Sequence, residues 1–224
     1  MPATSPFKIA NYNYIFLDTS IILNSHLNLD KLEDFKTAAH NNNDLPQVTE
    51  FDKKIKTVKD CQLLLKQIVA HSKTNNKTFK VLVSAITVAE ILHLRDGTDV
   101  DKMWADIKSA CQLRIISFSK SAAEKVKNTA QKNSGFGVKN DKKNCVSCGK
   151  AVDVICIKDD YKILATVASH TIEVKEAIAV LTTDSGFKNA AQLFDFSHGS
   201  SCFLLNDNCS TDFSRDMFKN IDIS

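Results

Sequence analysis

Short apolar runs alternate with helix-length amphipathic segments along the whole chain, and few folds tolerate that alternation. The runs are "YIFL" from Tyr14, "KTFKVLVSA" from Lys77, "LRIISF" from Leu113, "AIAVLTTD" from Ala177 and "SCFLLN" from Ser201. Each is brief, β-branched or aromatic, and suits a buried strand better than a helix. Helical patterns fall near 19–27 and 30–40, and in "TVAEILHLR", "DVDKMWADIKSACQ", "KSAAEKVKNTAQKN" and "SGFKNAAQLF". "VICIKDDYKILATVASH" reads as one further helix, with Ile163, Leu164, Val167 and Ala168 on its apolar face. A polar stretch, "HNNNDLPQVTEFD", precedes another long pattern carrying Ile55, Val58, Leu64, Ile68 and Val69. Strand and helix in alternation predict a mostly parallel sheet of about five strands, covered on both faces. With only 6 glycines and 3 prolines, the chain has too few turn formers for an all-β fold.

At 224 residues the chain is expected to be one domain, 1–224, with insertions near 30–78 and 134–152. No apolar run reaches the ~18 residues of a membrane span, and "MPATSPFKIANYN" lacks the apolar centre of a secretory signal. A cytoplasmic protein with reduced thiols is expected, with Cys61 and Cys111 as small core residues. The net charge of +3 is unevenly spread. From Lys53 to Lys80 there are eight lysines against Asp60, and from Phe118 to Lys150 eight against Glu124 and Asp141. The rest of the chain is acidic, as in a protein with basic walls around an acidic centre.

Acids recur where strands give way to helices. Asp18 follows "YIFL" and Asp184 follows "AIAVLTT". Glu90 lies about one turn into the helix after the second strand, and Asp159 and Asp160 stand in the helix before the fourth. Each also has a plain structural explanation: helix caps for Asp18 and Asp184, a surface position for Glu90, and dipole-compensating acids for the Asp pair. In a parallel sheet, however, the carboxyl ends of the strands share one edge. Several acids gathered there would repel unless a cation intervened. A carboxylate cluster without His or Cys suits Mg²⁺ or Mn²⁺, which engage phosphate oxygens, activate water and stabilise a leaving oxygen. The basic segments would hold phosphates nearby. Metal-dependent phosphodiester hydrolysis is the convergent reading.

In this order, "FLDTSIIL", "VSAITVAEIL", "DYKILATVA" and "VLTTDSGF" resemble the PIN domain, the PilT N-terminus family of nucleases. The resemblance implies a three-layer α/β/α sandwich and an endoribonuclease that cleaves single-stranded RNA with Mg²⁺ or Mn²⁺. It places Asp18, Glu90, Asp160 and Asp184 at the four acidic positions, with Asp159 as the alternative to Asp160 because the register rests on Ile163. Thr19 or Ser20, and Thr182, fall at hydroxyl positions that support the acids in that family. An antitoxin-like or other protein partner is also compatible with it.

Three further features of the sequence bear on function. In the 134–152 insertion, expected to be a loop, Phe136 could stack on an unpaired base while Lys139, Lys142 and Lys143 contact phosphates. "CVSCGK" offers Cys145 and Cys148 to a structural Zn²⁺, but no second Cys-x-x-Cys completes the set, so a loop with reduced thiols is the favoured reading. A strand-end Asp also begins haloacid-dehalogenase-like phosphatases, yet position 20 is Ser where a second Asp is wanted. Two other functions stay open at this point: a non-catalytic RNA-binding or assembly module, and a structure-specific DNA nuclease.

Overall fold

The computed structural model describes residues 7–75, 77–94, 104–105, 107–109, 111–133, 138–144 and 151–205, with backbone alone at 94, 138–144 and 151–156. Five strands form the central sheet: β1 (Tyr14–Leu17), β2 (Lys80–Ser84), β3 (Leu113–Ile116), β6 (Ile178–Thr182) and β7 (Ser201–Leu204). Their order is β3-β2-β1-β6-β7, and every neighbouring pair is parallel. The chain builds outward from β1 to β3, then returns to the other side of β1 with β6. The strand order therefore reverses between β1 and β6, and it is beyond the carboxyl ends at such a reversal that open parallel sheets bind their ligands.

Alternating side chains split the core in two, as the period of a strand requires. Ile15, Leu17, Val81, Val83, Ala179 and Leu181 point to one face. They pack against α1 (Thr19–Ser25), the distal part of α3 (Leu45–Thr74), and Trp104 and Ile107. Phe16, Leu82, Ile178 and Val180 point to the other face, against α5 (Lys120–Lys132), α6 (Asp159–Val174) and α7 (Ser185–Ala191). Two helical layers thus enclose a parallel sheet. This is the expected α/β/α sandwich, of the type that the PIN resemblance implies. Cys61 and Cys111 are buried in the first core, as expected.

Three local expectations need correction. The polar stretch before the long helix is mostly helical: α3 starts at Leu45, with the Asp44 carboxylate accepting from Gln47 N–H at 3.1 Å and Pro46 in the first turn. Pro is tolerated there because its missing N–H would have had no helical partner. Phe51, Ile55 and Val58 then bury against Leu27, Leu32 and Ala39, on and beside α2 (Leu29–Asn41), so α2 and α3 form a hairpin with its own small core. Second, much of 134–152 is not loop: β4 (Val138–Asn144) pairs antiparallel with β5 (Ala151–Ile157) as a ribbon. Third, the segment expected as one helix from "VICI" onward is divided, with "VICI" in β5 and α6 beginning only at Asp159. No helix among the described residues is long and apolar enough to cross a membrane.

Candidate acidic site at the carboxyl edge of the sheet

Asp18 stands one residue past β1, and its N–H donates to Leu181 O at 3.1 Å, extending the β1–β6 ladder. That bond fixes it beside the last residue of β6. Although Asp18 occupies the N-cap of α1, its side chain makes no capping hydrogen bond. Its Oδ2 instead accepts from Ser20 Oγ at 2.7 Å and Thr182 Oγ1 at 2.8 Å. The proton positions follow from the inventory of each hydroxyl. Ser20 Oγ accepts from Thr183 N–H at 3.0 Å and Thr182 Oγ1 from Asp184 N–H at 3.0 Å. Each hydroxyl is thereby left to donate its single proton to Asp18.

Asp184 follows β6 and does cap its helix. Its Oδ1 accepts from Gly186 N–H at 2.6 Å and Phe187 N–H at 3.2 Å. A Cβ at Gly186 would lie 3.0 Å from that oxygen, which is why the close cap is made over a glycine. Glu90 projects from α4 (Ala85–Leu94), the helix after β2, and its Oε2 accepts the Thr19 hydroxyl. Asp160 lies in the first turn of α6, half-buried, and accepts no hydrogen bond from a described residue. Its neighbour Asp159 is exposed and bound to Lys162 Nζ at 2.7 Å. Thr19, Ser20 and Thr182 thus all contact acids of the site.

The carboxylates feel one another. Burial raises the pKa of Asp18, opposed by the Ser20 and Thr182 hydroxyls and reinforced by the charge of Asp184. Burial also pushes Glu90 up to about 7, with Asp18, Asp160 and Asp159 adding to the rise and Thr19 opposing it. Asp160 is pushed up to about 6, first by burial and then by Asp18 and Asp184. Four carboxylates from β1, α4, α6 and the β6 end therefore share one electrostatic neighbourhood. Their chemistry fits a hard divalent cation: oxygen donors only, carrying more negative charge than a buried crevice holds unaided. Their spacing is looser than that chemistry wants. Among the described residues no three His, Cys, Asp or Glu side chains stand close enough to form a ready-made ligand shell.

The other sequence-derived site residues are less concentrated. Lys139, Lys142 and Lys143 lie on β4, opposite Cys156, Asp153 and Val152 of β5. Strand alternation puts positions 139 and 143 on one face of the ribbon and 142 on the other. Phe136, Cys145 and Cys148 lie outside the described residues. In the basic stretch from Lys53, much of the charge is locally answered: Lys53 meets Glu50 at 3.2 Å, Lys56 meets Asp60 at 3.9 Å and Lys59 meets Glu33 at 3.7 Å.

Sequence reasoning missed Asn24 and Thr183. Both are buried, and Asn24 Nδ2 donates to Thr183 Oγ1 at 3.1 Å, tying α1 to the turn that carries Asp184. The only available signal was an asparagine following three consecutive apolar residues in "SIILN".

No protein-family model matches the chain, and no curated protein does. One solved structure it is similar to is VapBC2 from Rickettsia felis, bound to a DNA fragment from their promoter. The match covers 85% of this chain and 98% of that one, at 12% identity and a TM-score of 0.40. A likeness that distant bears on neither the fold nor the chemistry described above.

Proposed function

We propose that this protein is a divalent-cation-dependent endoribonuclease, hydrolysing phosphodiester bonds of single-stranded RNA at the crevice between β1 and β6. The observation that carries this reading is that β1–β6 pairing sets Asp18 beside the turn that leads to Asp184, with Glu90 and Asp160, on separate helices, near enough that the charge of Asp18 adds to the burial that raises both. Asp18, Glu90, Asp160 and Asp184 would hold Mg²⁺ or Mn²⁺. When bound, such a cation supplies Lewis acidity toward phosphoryl oxygens and acidifies water. Ser20 and Thr182 orient Asp18 by occupying its Oδ2. Thr19 orients Glu90 by donating its hydroxyl to Oε2. Lys139, Lys142 and Lys143 would contact backbone phosphates outside the acidic centre, with Phe136 stacking on a base.

The experiment is cleavage of labelled single-stranded RNA, single-stranded DNA and a branched DNA flap, each in Mn²⁺ and in EDTA. The reading requires RNA cleavage in Mn²⁺, abolished by EDTA and by Asp160→Asn. RNA that is bound but left intact across a Mn²⁺ titration would make the protein a binding module. Cleavage confined to the flap would make it a DNA nuclease.

A further inference from the structure

Lys54 is buried, 8% exposed, in a helix whose other lysines reach solvent or surface acids. Burying an ammonium is costly unless hydrogen bonds compensate it. Its Nζ donates to Asn24 Oδ1 at 2.6 Å. An ammonium can only donate, so this contact settles which end of the Asn24 amide faces it and leaves Nδ2 to donate to Thr183 Oγ1. Thr183 N–H then donates to Ser20 Oγ, and Ser20 Oγ donates to Asp18 Oδ2. A polar chain of fixed direction therefore runs from α3 through α1 and the turn after β6, ending on the Asp18 carboxylate.

We propose that Lys54 and Asn24 are positioning residues of the acidic centre. This inference rests on the metal-centre reading above. The ends of β1 and β6 carry Asp18 and Asp184, whose like charges push them apart. Asn24 bridges the two segments directly, bonding from α1 to Thr183, the residue between Thr182 and Asp184. Lys54 holds the amide in the one orientation that makes that bond. An apolar pair would fill the same volume without desolvating an ammonium, and it would leave the turn free to drift under the repulsion. Outer partners that orient cation-binding carboxylates commonly affect affinity about 10- to 100-fold.

The test uses the full-length protein and two readouts: Mn²⁺ affinity, from the electron paramagnetic resonance signal of free Mn²⁺, and the Tm in EDTA. Asn24→Leu and Lys54→Met should weaken Mn²⁺ binding about tenfold or more. Lys54→Gln keeps a donor for Asn24 Oδ1 and should stay within about threefold of the parent, a rescue that packing alone does not explain. Lys54→Gln also keeps the experiment readable if Asn24→Leu fails to fold. A lowered Tm with the parent's Mn²⁺ affinity in both Asn24→Leu and Lys54→Met would overturn the positioning role and leave the metal-centre reading intact. A parent protein that binds no Mn²⁺ would overturn both.

Discussion

Glu90→Gln should stabilise the cation-free protein at pH 8 and leave it almost unchanged at pH 5. Burial and neighbouring charge raise the Glu90 pKa from 4.5 to about 7, so the folded state keeps a proton that the unfolded chain has lost. Stability from this group is fully present below about pH 4.5 and is lost as the pH rises through about 7. The step corresponds to about 3 kcal/mol at full effect, since each pKa unit is worth about 1.4 kcal/mol. Solvent screening of a half-buried carboxylate reduces that to about 2 kcal/mol. In a chain this long each kcal/mol moves Tm by about 2–4 °C, so the variant should melt about 4–8 °C above the parent at pH 8. Gln keeps a carbonyl oxygen for the Thr19 hydroxyl, so that contact is not the variable. Thermal denaturation in EDTA, in steps from pH 5 to pH 8, reads the difference directly. Parallel Tm profiles for the two proteins would show that Glu90 does not carry the charge burden assigned to it.

Mn²⁺ should raise the parent's Tm by binding the folded state, and Asp18→Asn should blunt that rise; an undiminished rise would remove Asp18 from the site. Asp160→Asn should reduce kcat on single-stranded RNA far more than it raises KM, whereas Asp159→Asn, which gives up an exposed pairing with Lys162 and the smallest of the charges acting on Glu90, should remain active. The opposite pattern would move the acidic position back one residue. Asp184→Ala should lower Tm by about 2–4 °C through loss of the α7 cap, about 1 kcal/mol, whereas Asp184→Asn should keep the cap and lose turnover. Replacing Lys139, Lys142 and Lys143 with Ala should weaken RNA binding and flatten its salt dependence by up to about three phosphate contacts. Unchanged affinity and salt slope would make the ribbon a bystander.

The strand ends were legible because apolar runs between helical patterns admit one reading, and the acids at those ends came with them. What could not be read was the division of labour between two similar acids. Asp18 and Asp184 each follow a strand and precede a helix, yet only Asp184 caps with its side chain. The difference lies in Ser20 and Thr182, 162 positions apart, whose hydroxyls claim Asp18 once β1 and β6 pair. The start of α3 was hidden because "NNNDLPQ" has the composition of a loop, while the Asp44 cap and the spacing of Phe51, Ile55 and Val58 decide for helix. In β4, "VKNDKKN" has weak strand preference, and pairing with "AVDVICI" overrides it. Lys54 looks like any other lysine of its basic stretch. Only the packing of α3 beside Asn24 sets it apart.

The central claim is that Asp18, Glu90, Asp160 and Asp184 together hold the cation that hydrolysis requires. Anomalous diffraction from crystals grown in Mn²⁺ tests it most directly. The account predicts a peak at the carboxyl edge of the sheet, with oxygens of at least two of these four acids at ordinary cation–oxygen distances. A well-occupied peak elsewhere on the protein, with the crevice between β1 and β6 holding only water, would contradict it.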